Sequence, residues 1–233
     1  MQRPDRKPSG TQNWRDLLFV HWEVSRDALR ALVPKSLELD LWEGRAFVGV
    51  VPFVMQAVRP AFLPRVMALD FLETNVRTYV RYRDRPGVYF FSLEASSFVA
   101  VKAARWGWGL PYFHASMSIQ HDGDYIEYES ERRDRGGARH RARYRPGQLL
   151  GASAPGTLEY FLLERYLLFS TKRGRVYEGQ VHHVPYPAQL VEIVSIEDDL
   201  VAAAGLPQPS EPHAIAHYAA GVDVEVFGPW LAT

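Results

Sequence analysis

The chain has 233 residues, 47% hydrophobic and 13% aromatic, enough apolar material for one sizeable core and too much for a disordered chain. Its 27 basic and 27 acidic residues cancel, so no net field draws it to nucleic acid or to an anionic membrane. It has no Cys, which excludes disulfides, thiolate metal centres and a cysteine nucleophile.

In chain order, residues 1–13 read as a polar tail without the apolar run of a signal peptide, and 14–233 as a single domain. No stretch reaches about 18 uninterrupted apolar residues, and a cytoplasmic protein is the expectation. "VSRDALRALVP" predicts a short helix, with Ser25 as N-cap, Asp27 in the first turn and Pro34 as the stop. Strands follow at "RAFVGVVPFVM", "TNVRTYVRYR" and "GVYFFSLEAS", then at "HASMSIQHD" and "DYIEYESERR". Between them "ARWGWGLPYFHA", residues 104–115, has two Gly and one Pro and is expected to be irregular. A second helix is "GTLEYFLLERY", capped by Thr157, and a third "IEDDLVAAAGLP", closed by Gly205 and Pro207. "RYLLFSTKRGRVYEGQVHHV" reads as a hairpin turning near Gly174, and "QLVEIVSI" and "VDVEVF" as the last strands. The sum is a β-rich α+β domain, an antiparallel barrel or strongly curled sheet with a few short flanking helices.

The stretch "FLETNVRTYV" carries the sharpest question. On a strand, Glu73, Asn75, Arg77 and Tyr79 share one face and Leu72, Thr74, Val76, Thr78 and Val80 the other. The polar row is either the solvated side of a half-buried strand or the lining of an interior. Ser130 and Arg132 in "YESER" offer matching polar positions, and Arg105, Tyr112 and neighbouring aromatics could close a small-molecule pocket. His182 and His183 are adjacent and so diverge on a strand, and His213 and His217 lie four apart without an HExxH pattern, so no metal site is expected. The alternating Arg139, Arg141, Arg143 and Arg145 predict a solvated edge strand rather than a nucleic-acid contact.

The blocks "FVHWEV", "ETNVRTYV", "LPYFHA", "PGTLEYFLLERYLLFS", "VHHVPYP" and "HYAAGVDVEVF", in this order from about Trp14 to about Trp230, resemble the YqjF-like bacterial family DUF2071, a domain of unknown function. The resemblance implies an acetoacetate-decarboxylase-like barrel or cone, with the "ETNVRTYV" strand lining its cavity. It also implies where a catalytic lysine would stand, in a "GFPKK"-like segment. Here "GLPYFHA" puts Tyr112 and Phe113 there, and tyrosine cannot form an imine. Only Lys7, Lys35, Lys102 and Lys172 carry amines, and Lys102 alone is placed to be buried near the site, as a relocated lysine.

Two functions are carried forward. In the first, a small-molecule enzyme without cofactor uses Glu73 as acid or base and Tyr112 as hydrogen-bond donor, with Asn75, Arg77, Tyr79, Arg105, Ser130 and Arg132 holding an anionic or carbonyl substrate. In the second, a non-catalytic ligand-binding or structural module contains an internal Glu73–Arg77 ion pair. Neither has nucleic acid or membrane as partner, and a homo-oligomer is left open.

Overall fold

The computed structural model describes residues 2–208 and 214–233. Strand β1 (Gly10–Val24) takes in the last four residues of the expected tail, and helix α1 (Arg26–Leu32) follows, its Ser25 cap accepting from the Ala28 N–H. Next come β2 (Glu38–Leu39), β3 (Ala46–Pro60), β4 (Leu69–Tyr82), β5 (Arg85–Ala95) and helix α2 (Phe98–Trp108). Then β6 (Tyr112–Asp122), β7 (Tyr125–Arg132) and β8 (Arg139–Gly151) lead to helix α3 (Leu158–Leu163). The chain closes with β9 (Leu167–Lys172), β10 (Arg175–His182), β11 (Ala188–Asp198), helix α4 (Leu200–Ala203) and β12 (Ile215–Leu231).

Among the described residues, all twelve strands join one sheet that curves into a ring. Extra pairings of β4 with β5 and of β10 with β12 close two circuits that share the wall β12-β1-β3-β4-β5. One circuit is completed by β9 and β10, the other by β6, β7, β8 and β11. A wall shared in this way has no solvated side. In β4 every residue from Glu73 to Val80 is buried, which explains why the polar row cannot be an outer face.

The two faces of the wall carry different cores. Leu17, Phe19, Val51, Phe53, Val222 and Val224 pack on one side with Leu163 and Tyr186. Leu18, Val20, Val48, Val50 and Val76 pack on the other with Tyr128, Ala142 and Tyr144. Tyr128 spans the interior of the larger circuit, from β7 to β4, donating to the Glu73 carbonyl at 2.9 Å.

Two expectations are corrected. Residues 98–108 form a helix that takes in the first part of the segment 104–115 expected to be irregular: Ser97 accepts from the Ala100 N–H as its cap, Gly107 lies within it, and Gly109 ends it at the C-cap with φ +64°. Strand β8 is no edge: it lies between β7 and β11, and its arginines pair across strands, Arg139 with Glu131, Arg141 with Glu129 and Arg145 with Glu192. The stripe is a neutralised ion-pair ladder on the outer face, with His140, Ala142 and Tyr144 inside. The hairpin at Arg173 and Gly174 turns as expected, both residues at positive φ.

Candidate active site

Glu73, Asn75, Arg77 and Tyr79 are all at or below 7% exposure, and their face is the one backed by Phe19, Phe53, Leu163 and Tyr186. Glu73 pairs across strands with Phe53 and Ala95, and Asn75 with Val51 and Leu93, so the carboxyl stands among apolar neighbours. Leu93 pairs in turn with Tyr112 on β6, which brings the Tyr112 ring over β5 to Glu73. The Tyr112 hydroxyl donates to Glu73 Oε2 at 2.8 Å.

Burial pushes the Glu73 carboxyl up to about 8, with the Glu94 charge adding to the rise and the Tyr112 hydrogen bond opposing it. At neutral pH this carboxyl therefore holds its proton. Tyr112, buried and facing the same carboxyl, is pushed well above the usual phenol range and stays a neutral donor.

The Arg77 end is built differently. Arg77 Nη2 donates to the Leu162 carbonyl at 3.1 Å, and its guanidinium lies 5.6 Å from the Phe19 ring centre. The expected Glu73–Arg77 ion pair is absent, since four residues of strand separate them by about 13 Å along the backbone and each has found another partner. The Tyr79 hydroxyl lies 2.8 Å from the same Leu162 carbonyl and 2.7 Å from His21 Nε2. Burial, with the charge of Arg77 second, holds His21 well below the usual imidazole range, so it is neutral. Gly49 makes room for it, because a Cβ there would meet His21 Cδ2 at 2.8 Å. Asn75 Oδ1 and Arg77 Nε are buried without a hydrogen-bond partner among the described residues.

Three expected site residues lie elsewhere. Arg105 is exposed on α2, its Nε bound to the Tyr112 carbonyl at 2.6 Å, so it steadies the backbone of Tyr112 from outside. Ser130 and Arg132 are buried on the opposite face of the wall, where Arg132 donates to Glu94 at 2.6 and 2.8 Å. Side-chain parity groups residues within one strand; it does not say which face of another strand meets them. Lys102 is exposed, with its ammonium over the Phe98 ring, and Lys7, Lys35 and Lys172 are exposed too. All four lysines are exposed while Glu73 is buried, so Lys102 does not stand beside the site as a relocated lysine.

Of the histidines, His183 is buried against the Tyr166 and Tyr186 rings and held at about 4 by burial. His217 lies within strand β12, and His213 falls outside the described residues. Among the described residues no group of three or more His, Asp or Glu could hold a metal ion. Sequence reading missed His21, although "FVHWEV" places it two residues from Phe19 and so on Phe19's face.

The DUF2071 family model, described as an uncharacterized conserved protein, matches residues 11–223. The uncharacterized protein YqjF of Bacillus subtilis (strain 168) is 41% identical over 214 residues, covering 91% of this chain and 88% of its own. Among solved structures, the enduracididine biosynthesis enzyme MppR complexed with pyruvate superposes with a TM-score of 0.66 at 14% identity, over 99% of this chain and 93% of its own. Acetoacetate decarboxylase of Legionella pneumophila does so with a TM-score of 0.59 at 14% identity, over 100% and 94%. The fold is that of these enzymes.

Proposed function

We propose, for a chain that belongs to the DUF2071 family and shares the acetoacetate decarboxylase-like fold, that the face of Glu73 binds a small oxo acid and acts on it by acid–base chemistry without a Schiff base. The observation that carries this is the Glu73–Tyr112 pair: a buried carboxyl that keeps its proton at pH 7, beside a neutral phenol and far from any lysine. A protonated carboxyl donates a hydrogen bond to a carbonyl or enolate oxygen, which polarises the carbonyl and stabilises charge developing on it. Arg77, with its unused Nε, is the cation for a carboxylate, and Asn75 lies between the two. Domain 14–233 acts as one unit in this reading.

Pyruvate, named in the MppR complex, is the first ligand to test, with acetoacetate beside it. Calorimetric titration is expected to show binding that weakens as pH rises through about 8, where Glu73 gives up its proton, and that is lost in Arg77→Met. Solvent-deuterium exchange at the carbon next to the carbonyl, followed by NMR, separates an enzyme from a binding module. An enzyme exchanges faster than buffer and Glu73→Gln does not, whereas a module binds without exchange. Absence of binding by any short oxo acid at millimolar concentration rejects the reading.

A further inference from the structure

Strand β1 breaks both of its ladders at Asp16. Its pairing with β12 passes from Arg15–Gly221 to Leu17–Ala219, and its pairing with β3 lapses between Arg15 and Val20. Asp16 stands at φ +50°, a region that residues other than Gly, Asn and Asp seldom enter. In the neighbouring strand Gly221 is required, because a Cβ there would meet the Trp14 carbonyl oxygen at 2.4 Å. The bulge turns the Asp16 side chain into the larger circuit, where the Tyr218 hydroxyl donates to Oδ1 at 2.7 Å.

Oδ2 of the same carboxylate lies 3.7 Å from His121 Nε2. Asp16 on β1 and His121 on β6 belong to opposite walls of that circuit, with β3, β4 and β5 between them on one side and β12, β11, β8 and β7 on the other. Their side chains are 23% and 55% exposed, so this end of the circuit is open to water. Just inside stands Tyr144, fully buried on β8, its ring centre 6.2 Å from that of Tyr218. Burial first, then Asp16, Tyr218 and Tyr128, raise the proton affinity of the Tyr144 hydroxyl, which therefore faces these three groups. Yet it bonds to none of them, nor to any other described residue. A buried hydroxyl left unpaired costs free energy that a bound polar group would remove.

We infer that this end of the larger circuit binds the ammonium group of a small organic amine, with Asp16 as its counter-ion and the rings of Tyr144 and Tyr218 beside it. A carboxylate next to aromatic rings selects a cation, since the ring faces carry negative potential. Among the described residues no Lys or Arg pairs with Asp16, and Arg15, next to it in sequence, is turned to Asp223. The ammonium donates to Asp16 and to the idle Tyr144 oxygen, and its carbon part meets the apolar interior of Leu18, Ile119 and Ile126. This site is separate from that of Glu73, because Leu18 and Leu17 alternate to opposite faces of the shared wall.

Benzylammonium is the probe, with benzyl alcohol as its neutral counterpart, each titrated at about pH 7 into the full chain carrying carbon-13 in its tyrosine rings. The expected result is a saturable shift of the Tyr144 and Tyr218 ring signals by benzylammonium at about millimolar concentration, with the alcohol binding about tenfold more weakly or worse. Asp16→Asn should weaken the amine by about tenfold and Tyr144→Phe by about threefold. Glu197→Gln, which removes an exposed carboxylate on β11, should leave it unchanged. Should Asp16→Asn unfold, the amine and the alcohol still decide between them on the wild-type chain. Equal binding of the two means apolar filling only and overturns the proposal. So do shifts that fail to saturate, the absence of any shift, or unchanged affinity in a folded Asp16→Asn.

Discussion

Glu73 and Glu94 stand on adjacent strands of the same wall, offset by one residue in register, and point to opposite faces. Both are buried, and burial raises both carboxyls above their ordinary range. Glu94 meets Arg132, whose charge opposes the rise, and the pair is satisfied except at Glu94 Oε2. Glu73 meets only a phenol, and nothing brings its proton affinity back down to the acid range. A few ångströms of sheet thickness thus divide a structural ion pair from a carboxyl kept neutral for proton chemistry.

The largest expected effect breaks the structural side. Arg132→Met leaves Glu94 as an unpaired buried carboxylate and should cost ~3–5 kcal/mol in denaturant unfolding, with most of it recovered in the double variant that also carries Glu94→Gln. Arg77→Met removes a hydrogen bond to a backbone carbonyl and no ion pair, so it should cost only about 1–2 kcal/mol. Equal costs would mean that the two arginines are used alike.

The next effect is read from pH. Glu73 holds its proton in the fold up to about 8, whereas the unfolded chain releases it near an ordinary glutamate value of about 4.3. The folded state therefore binds more protons between these values, and this contribution is full below about pH 4 and declines as pH rises through about 8. It amounts to ~5 kcal/mol at most. Unfolding free energies at pH 5.5 and 8.5 should show wild type losing stability relative to Glu73→Gln, which has no proton to lose. A difference independent of pH would mean that Glu73 is ionised in the fold.

These experiments rest on features with unequal sequence signals. The polar row on β4 was legible because period-two alternation is local, and Ser25, Thr157 and the Arg173–Gly174 turn were legible as local cap and turn chemistry. Whether the row faced inward was not, because that depends on the sheet closing twice on the same wall. Strand β1 escaped notice: "LLFVHW" is buried on both faces and so has no alternation to read. The arginine stripe of β8 showed its charge but not its partners, since Glu129 and Glu192 come from different neighbours. For the same reason Ser130 and Arg132 were grouped with Glu73 although the wall stands between them.

A smaller effect sharpens the Glu73 side alone. Tyr112→Phe removes the one hydrogen bond that favours the Glu73 carboxylate, so the Glu73 pKa should rise further, read from side-chain-labelled carbon NMR. The stability cost should be about 1 kcal/mol. A Glu73 pKa that falls instead would mean that Tyr112 shields the carboxyl from water more than it bonds to it.

The smallest effect is the one that separates this chain's chemistry from a lysine mechanism on the same fold. An imine needs an amine in contact with the substrate carbonyl. Lys102 lies on the solvent side of α2, while Tyr112 occupies the place that faces Glu73. Lys102→Arg should therefore change stability by less than ~0.5 kcal/mol and leave pyruvate binding as it was. Incubation with pyruvate or acetoacetate followed by borohydride reduction should leave the intact mass unchanged in both wild type and variant. A stoichiometric reduced adduct that disappears in Lys102→Arg would show that α2 moves its outer face inward in solution, and Glu73 would then act beside an amine rather than alone.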